Sequence, residues 1–352
     1  MKKLLITGGC GFIGSHTCYV LLEEGYELIV VDSNINSTDI PLKRLQCLNY
    51  SHEIDFESKL KFICGDIRNK KLLSLIFSDA IDQGIPIDAV IHFAGLKSVS
   101  DSLKFPLSYW EVNVGGTLSL LNVMEEFKCQ TLVFSSSASI YNFSGLKLLT
   151  ENDLIKPNSP YGHTKEVVER ILFSIYESSN SNWKIANLRY FNPIGAHPSG
   201  LIGESFTSKS DNLFPHICMV ATGEKKYLEI YGNDWPTEDG TCVRDFIHVL
   251  DLAEAHMSAI KMLSNSNSRI FNINIGTSKG TSVLELAKTF EKVNKCQIPI
   301  IFSERRRGDI PFSVADNSLA LETLEWAPKK NIYEMCRDGW KWLKENPNGY
   351  KK

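Results

Sequence analysis

Short apolar runs alternate with stretches of helical periodicity through the first half of the chain. The apolar runs predict six strands, at Lys3–Thr7, Glu27–Val31, Leu60–Cys64, Ala89–Phe93, Thr131–Ser135 and Lys184–Leu188. The stretches between them predict helices at Gly11–Glu24, Lys70–Asp82, Pro106–Phe127 and Pro160–Glu177. Near-continuous apolar strands that alternate with helices are typical of a parallel sheet covered on both faces. We therefore predict an α/β fold with a doubly wound, Rossmann-type parallel sheet, whose ligands bind beyond the carboxyl ends of the strands.

The pattern loosens after about Arg189, where glycine and proline interrupt the chain more often. Helical periodicity returns at Leu213–Thr222, Val249–Leu263, Ser282–Val293 and Ile332–Lys344. We expect residues 1–190 to form the Rossmann-type domain, and residues 191–352 to form a smaller α/β domain that carries ligand specificity. The segment 243–263 is expected to pack back onto the first domain.

The composition excludes several classes of function. The chain of 352 residues has a net charge of −3, whereas nucleic-acid-binding domains are usually strongly basic, so we expect no nucleic-acid partner. No apolar run reaches the roughly 20 residues of a membrane span, and the N-terminal run stops at Gly8, too early for a signal peptide. The nine cysteines are odd in number and contain no CxxC pair. The cysteine pattern predicts reduced thiols in a cytoplasmic protein and no metal site. Because no membrane span is predicted, we also expect no membrane partner.

A glycine turn follows the first predicted strand and opens the first predicted helix. Gly8, Gly11 and Gly14 give the spacing GxxGxxG, a variant of the dinucleotide fingerprint in which backbone amides approach a pyrophosphate. The glycine turn by itself is a weak signal, because such turns are common. Asp32 ends the second strand, where a carboxylate accepts hydrogen bonds from both adenosine ribose hydroxyls and repels a 2′-phosphate. The two features together predict that residues 1–190 bind NAD rather than NADP.

A candidate catalytic set follows along the chain. Tyr161 and Lys165 form YxxxK in a predicted helix that Ser159 caps, and residues four apart share one helix face. A lysine cation favours a neighbouring phenolate, so we expect Lys165, together with a positive nicotinamide ring, to lower the tyrosine pKa toward 7. Ser137 closes a run of three serines at the end of a strand, where a hydroxyl can hold a substrate hydroxyl against the phenolate. An exposed helical pair beside an ordinary polar strand end is the alternative interpretation of the same residues.

These motifs, in this order, resemble the extended short-chain dehydrogenase/reductase family and, within it, the UDP-glucose 4-epimerase family. The similarity covers nearly the whole chain. Matching stretches include TGGCGFIGSH (7–16), SSSASIY (135–141) and SPYGHTK (159–165). The later stretches RYFNPIGAHPSG (189–200), YGNDWPTEDGTCVRDFIHV (231–249) and RRRGDIP (305–311) are the ones specific to the epimerases.

The resemblance implies NAD-dependent 4-epimerisation of UDP-galactose and UDP-glucose through a 4-keto intermediate. Tyr161 would remove the proton of the sugar 4-hydroxyl, Lys165 would orient the nicotinamide ribose, and Ser137 would align the hydroxyl. The second domain would bind the UDP-sugar. The resemblance also implies a homodimer formed by the helices Pro106–Phe127 and Pro160–Glu177.

The same resemblance assigns binding residues. The positions that match NAD contacts are Gly8, Gly11, Phe12, Ile13, Gly14, Asp32, Asn36, Ser37, Asp66, Ile67, Phe93, Ala94, Gly95, Lys97, Asn113, Tyr161, Lys165 and Phe191. The positions that match UDP-sugar contacts are Ser137, Tyr161, Asn192, Asn212, Leu213, Tyr231, Arg244, Arg306, Asp309 and Ser313. Arginines suit a diphosphate, because their planar fork makes paired, charge-assisted hydrogen bonds.

Ser313 departs from a pattern that the family often shows. A bulky tyrosine at this position restricts the site to glucose and galactose, whereas a serine leaves room for an acetamido group on the sugar. The resemblance therefore implies that UDP-GalNAc and UDP-GlcNAc are also interconverted.

Two other functions stay open. A nucleotide-sugar 4,6-dehydratase needs an acidic pair directly after the strand-end residue, whereas Ala138 and Ser139 follow Ser137 here. A non-catalytic NAD-binding sensor would not need Tyr161 and Lys165.

Overall fold

The computed structural model describes residues 2–48, 55–142, 145–178, 182–205, 212–306 and 308–350. Its strands are β1 Lys3–Thr7, β2 Glu27–Asp32, β3 Leu60–Cys64, β4 Ala89–His92, β5 Thr131–Ser137, β6 Lys184–Tyr190, β7 Asn192–Ile194, β8 Leu228–Tyr231, β9 Val243–His248, β10 Arg269–Ile275, β11 Gly280–Ser282, β12 Ile300–Ser303 and β13 Phe312–Ser313. Its α-helices are α1 Phe12–Glu23, α2 Ile40–Leu45, α3 Phe56–Lys59, α4 Lys70–Asp82, α5 Val99–Lys104, α6 Pro106–Tyr109, α7 Gly116–Glu126, α8 Pro160–Tyr176, α9 Leu213–Ala221, α10 Val249–Ser264, α11 Val283–Asn294, α12 Ser318–Leu324 and α13 Ile332–Glu345.

Seven parallel strands form the main sheet, in the order β10-β6-β5-β4-β1-β2-β3. The chain builds outward from β1 in one direction and then returns to build β4, β5, β6 and β10 on its other side. This order confirms the predicted doubly wound sheet. The reversal opens a crevice at the carboxyl ends of β1 and β4, where such sheets bind ligands.

Two apolar clusters cover the main sheet. Side chains of α1, α10 and α12 pack on one face, and side chains of α4, α7 and α8 pack on the other. The central strands β1, β4 and β5 are buried along nearly their whole length, as their apolar runs require.

Strand β10 was not among the predicted strands. Its sequence, Arg269–Ile275, alternates apolar residues with Asn272 and Asn274, so it lacks the continuous apolar run of the other six. Both asparagines are hydrogen-bonded: Asn187 of β6 donates to Asn272 over 2.8 Å, and the Asn274 side-chain amide donates to the Leu149 carbonyl, outside the sheet, over 2.8 Å. These bonds let polar side chains occupy a parallel sheet.

The predicted single helix Pro106–Phe127 is wrong as a continuous α-helix. The structure divides it into α6, a π-helical turn at Trp110–Gly115, and α7. One extra residue per turn shifts the side chains that follow, and such turns occur frequently at functional sites.

The remaining strands lie in two smaller sheets. Strands β7, β9, β11 and β13 form one sheet, and β8 pairs with β12 in the other. A third apolar cluster joins α9, α11 and α13 beneath them. Among the residues placed by the structure, no helix combines the length and apolar character needed to cross a bilayer.

Candidate active site

The predicted cofactor residues collect at one edge of the main sheet. Each group of them follows, or ends, a parallel strand: β1 precedes Gly8–Gly14, β2 ends at Asp32, β3 precedes Asp66 and Ile67, β4 precedes Phe93–Lys97, and β6 precedes Phe191. Carboxyl ends of parallel strands meet at the same edge, so local motifs far apart in sequence form one site.

The glycine turn is tightly packed. Gly8 has a φ of +73°, and a Cβ there would lie 2.6 Å from the backbone nitrogen of Ala94. A Cβ on Gly14 would lie 2.4 Å from the carbonyl oxygen of Gly8. Gly11, the N-cap of α1, has no side chain that could accept from the first helical amides. This turn fits a pyrophosphate at the helix N-terminus.

The Asp32 carboxylate is held in place beside the glycine turn. It accepts hydrogen bonds from the Cys10 amide over 3.0 Å, the Asn34 amide over 3.0 Å and the Ser37 hydroxyl over 2.8 Å. Its side chain is buried, and Asn36 lies in the exposed loop beyond it. A fixed carboxylate at the end of β2 fits the ribose hydroxyls of NAD.

Asn113 occupies the π-helical turn and binds the loop after β4. Its side-chain oxygen accepts from the Leu96 amide over 2.7 Å, and its side-chain nitrogen donates to the Leu96 carbonyl over 3.0 Å. The same nitrogen donates to Thr164 on α8 over 3.1 Å. Asn113 thus ties the loop that carries Gly95 to the helix that carries Tyr161.

Two charged residues predicted to contact NAD make ion pairs. Asp66 pairs with Arg68 over 2.6 Å, which lowers the pKa of that carboxyl, and the Lys97 ammonium pairs with Glu204 over 3.0 Å. Ile67 is buried beside them. Lys97 and Glu204 link the loop after β4 to a segment beyond β7.

The predicted catalytic residues lie together where β5 meets α8. Ser159 caps α8 by accepting from the Gly162 amide over 3.2 Å, which places Tyr161 in the first turn. The Tyr161 side chain is hydrogen-bonded to Ser137, the last residue of β5. The Lys165 ammonium donates to the Ser135 carbonyl over 2.6 Å and lies 5.8 Å from the centre of the Tyr161 ring.

Burial acts on the pKa values of both Tyr161 and Lys165, and the lowering of the tyrosine pKa by Lys165 together with a nicotinamide ring stays a prediction. Burial raises the pKa of Tyr161 to about 12, opposed by its hydrogen bond to Ser137. Burial also lowers the pKa of Lys165 to about 8, opposed by the nearby Glu169 carboxylate.

Sequence reasoning missed several buried partners of this set. Glu169 and Arg189 form an ion pair beneath it over 2.6 Å, and Tyr190 is hydrogen-bonded to Ser135. Arg189 is a charged residue that follows the apolar residue Leu188 in β6, and a charged residue at a buried strand position requires a buried partner.

Most of the predicted substrate residues other than Ser137 and Tyr161 lie on or next to the two smaller sheets. Arg306 donates to Asp309 over 3.0 Å, its guanidinium lies 5.6 Å from the centre of the Tyr231 ring, and Arg244 lies 3.9 Å from Asp309. Ser313 is the register partner of Arg244 in the pairing of β13 with β9. The remaining residues are placed by their elements: Asn192 begins β7, Asn212 is the N-cap of α9, and Leu213 begins that helix.

This architecture defines the class of the protein: a Rossmann-type enzyme of the extended short-chain dehydrogenase/reductase type, with a second part built on two smaller sheets. The class rests on the glycine turn, on Asp32, and on the Ser137, Tyr161 and Lys165 set at one sheet edge.

Comparison with known proteins narrows the class. A sequence model of the family described as GDP-mannose 4,6 dehydratase matches residues 5–339. UDP-glucose 4-epimerase 2 from Arabidopsis thaliana is 44% identical over 99% of this chain and 97% of its own length. The structure of UDP-glucose 4-epimerase from Stenotrophomonas maltophila, with bound NAD and formylated UDP-arabinopyranose, is 40% identical, covers 99% of each chain and superposes with a TM-score of 0.92. The Bifidobacterium longum enzyme, in complex with NAD+ and UDP, is 38% identical, covers 99% of this chain and 100% of its own, and gives a TM-score of 0.89. The chain belongs to the UDP-glucose 4-epimerase family.

Proposed function

We propose that the protein interconverts UDP-galactose and UDP-glucose by NAD-dependent epimerisation at C4, through a 4-keto sugar. The observation that carries this proposal is the hydrogen-bonded pair of Tyr161 and Ser137, beside Lys165, at the sheet edge that also holds the glycine turn and Asp32. The epimerases from Stenotrophomonas and Bifidobacterium, which were crystallised with NAD, support the same cofactor here.

Tyr161 is the general base and acid of the proposed reaction. Its phenolate removes the proton of the 4-hydroxyl, and the resulting phenol later returns the proton to the 4-oxygen. Ser137 holds the hydroxyl in line by hydrogen bonding. NAD, held at the glycine turn and at Asp32, supplies the hydride acceptor and donor for C4 when bound. The 4-keto sugar would turn over between the two transfers, so that the hydride returns to the other face of C4.

The arginines of the smaller sheets are proposed to hold the diphosphate. Arg244 and Arg306 both face Asp309, and the carboxylate fixes their orientation without neutralising both charges. One net positive charge remains to attract a diphosphate.

The first test is turnover without added cofactor. The purified protein is incubated with UDP-galactose, and the nucleotide sugars are resolved by chromatography. Tyr161→Phe should lower kcat by roughly 10²- to 10⁴-fold, because it removes the proton acceptor. Tyr350→Phe is the matched control, since Tyr350 is also a buried tyrosine but donates to the Gly203 carbonyl. Absence of turnover in the parent, even with NAD added, would contradict the proposal.

A 4,6-dehydratase is the second candidate, because the matched family model carries that description. The turn after β5 argues against it: Ala138 and Ser139 provide no carboxylate, and the Ser139 amide donates to Ser137 over 3.2 Å. The same chromatography distinguishes the two, since a dehydratase would release water and yield a 4-keto-6-deoxy sugar.

We also propose that the acetylated sugars are substrates. Ser313 ends β13 opposite Arg244, and Ala315, two residues further along the chain, packs in one cluster with Phe191. A small side chain at that position leaves space for an acetamido group. Ser313→Tyr should abolish conversion of UDP-GalNAc and retain conversion of UDP-galactose, whereas Ser313→Ala should retain both. Equal UDP-GalNAc turnover by Ser313→Tyr and the parent would overturn this idea.

We propose that the protein forms a homodimer whose interface is the outer surface of the segment from α5 to α8. These helices expose large apolar side chains, a patch made of Leu103, Phe105, Leu107, Trp110, Leu118 and Phe173. Leu107 is 81% exposed, and contiguous apolar patches of this kind mark interfaces. Leu107→Glu should give monomers by light scattering, whereas Leu154→Glu, outside the patch, should not. A monomeric parent would contradict the dimer.

The free state of the cysteine thiols supports a proposed cytoplasmic location. All nine cysteines are free, including the exposed Cys47 and Cys64, and an oxidising compartment would leave such thiols open to disulfide formation. Recovery of the protein only outside the cytoplasm on cell fractionation would contradict this location.

A further inference from the structure

Glu169 is a buried carboxylate that the proposed reaction does not use. It lies on α8 one turn after Lys165, and its side chain is only 8% exposed. It accepts from Arg189 twice, over 3.0 Å and 2.6 Å, and from the Ser136 hydroxyl over 2.5 Å. A buried carboxylate is costly unless such partners satisfy it.

The partners of Glu169 come from two adjacent strands. Ser136 of β5 and Arg189 of β6 are register partners, and opposed residues in a parallel pair point to the same face. Arg189 also donates to the Tyr141 hydroxyl over 2.9 Å and to the Glu151 carbonyl over 3.0 Å. The ion pair therefore fixes the ends of β5 and β6 against α8.

Ser136 stands between two residues of the catalytic set. The Ser135 carbonyl accepts from Lys165, and Ser137 is hydrogen-bonded to Tyr161. Three consecutive serines thus bind three residues spaced four apart on α8: Lys165, Glu169 and Tyr161. A shift of Ser136 would move both neighbours.

Glu169 acts on two cations. It pairs with the guanidinium of Arg189, and its charge opposes the fall in the Lys165 pKa that burial causes. The titratable and charged groups around the Lys165 and Tyr161 pair come from α8, β4, β6 and α6, and they are Glu169, His92, Arg189, Tyr190 and Tyr109. His92 is buried and its pKa is lowered to about 3, so Glu169 is the negative charge that faces the ammonium.

We propose that Glu169 is a positioning residue, which keeps Lys165 charged and fixes the strand end that carries Ser135 to Ser137. This inference rests on the proposed 4-epimerisation for its effect on rate. Arg189 holds the Glu169 carboxylate by two hydrogen bonds, and the hydrogen bond from Ser136 connects that carboxylate to β5.

The test compares two glutamates of the same helix. Glu169→Gln removes the buried charge, and Glu166→Gln is the matched control, since Glu166 is also buried but pairs with the exposed Arg170 over 2.6 Å. In Glu169→Gln, kcat for UDP-galactose at pH 8 should fall at least tenfold with KM within about twofold. The alkaline limb of kcat should move to lower pH by about one unit, because Lys165 then loses its proton more readily. The control should change neither.

Ser136→Ala separates position from charge. It leaves the ion pair of Glu169 and Arg189 intact and removes one hydrogen bond, so kcat should fall roughly 2- to 10-fold with an unchanged alkaline limb. If Glu169→Gln does not fold, the Ser136→Ala variant tests the positioning role of Glu169 instead. A lower kcat at an unchanged melting temperature supports the proposal, and an unchanged kcat overturns it.

A second readout needs no turnover. The pKa of Lys165 is followed by NMR of the ¹⁵N-labelled lysine side chains in the intact protein, with Lys165→Met to assign the signal. A lower value in Glu169→Gln than in Glu166→Gln supports the proposal, and equal values overturn it. If the parent converts no UDP-galactose, the proposed function fails, while this titration still decides the role of Glu169.

Discussion

Lys165→Met isolates the contribution of the buried ammonium to the ionisation of Tyr161. Methionine has a similar length and no charge, and it fits an apolar site. The substitution also removes the bond to the Ser135 carbonyl. Because burial already lowers the pKa of Lys165 to about 8, the charged lysine costs stability at pH 7. The melting temperature of the variant should therefore not fall.

The magnitude follows from two opposing effects on the phenolate. Burial raises the pKa of Tyr161 to about 12, two units above its usual value, which costs about 3 kcal/mol. An ammonium 5.8 Å from the ring offsets about 3 kcal/mol at an effective dielectric constant of about 20. Loss of this offset corresponds to roughly a 100-fold lower kcat.

The assay is kcat for UDP-galactose between pH 6 and pH 10, for the parent, for Lys165→Met and for the surface control Lys261→Met. The ratio of parent to Lys165→Met should be about 100 at pH 7. It should shrink at higher pH, because the parent lysine then loses its own proton. A ratio that stays constant across this range, or one below about 10 at pH 7, would refute the electrostatic reasoning.

Two further predictions concern stability. Gly14→Ala should lower the free energy of unfolding of the ligand-free protein by about 1–3 kcal/mol, because its Cβ would lie 2.4 Å from the Gly8 carbonyl oxygen. Gly11→Ala, whose Cβ would lie 3.3 Å from the same oxygen, should lose less, and equal losses in urea denaturation would contradict this view. Four histidines are buried in neutral form, with pKa values lowered to about 3 or about 4: His16, His92, His197 and His256. The unfolded chain takes up these protons near pH 6.5, so the free energy of unfolding should fall by about 1 kcal/mol per pH unit for each histidine as the pH drops from about 6.5 toward 4. A urea midpoint that is the same at pH 7 and pH 5 would contradict this.

The sequence predicts the parts of the site that local geometry determines. Tyr161 and Lys165 share a helix face because they are four residues apart, and Ser159 caps that helix. Gly8 follows β1 and Asp32 is the last residue of β2. The two residues lie near each other because the carboxyl ends of these parallel strands share one edge of the sheet. Such relations depend on spacing and strand direction alone, so a single sequence reveals them.

The parts that the sequence does not predict depend on tertiary contacts. Glu169 shares the helix face of Tyr161 and Lys165, but its charge is typical of a surface residue, and its buried partner Arg189 lies on β6. Asn272 and Asn274 interrupt the apolar pattern of β10, so the sequence does not predict this strand. Their hydrogen-bond partners, which allow them to be buried, lie on other parts of the chain. The π-helical turn around Asn113 likewise depends on the contacts of that residue with Leu96 and Thr164.

The order in which Tyr161 and Lys165 lose their protons links cofactor binding to catalysis. In the chain alone, burial lowers the lysine pKa to about 8 and raises the tyrosine pKa to about 12, so neutral pH leaves the phenol protonated. Glu169 favours the charged lysine, but a second positive charge near Tyr161 is needed to bring the phenol pKa close to 7. In the proposed reaction, NAD held at the glycine turn and Asp32 would supply that charge while oxidised and not once reduced. Tyr161 would then act as a base in the first half of the proposed epimerisation and as an acid in the second.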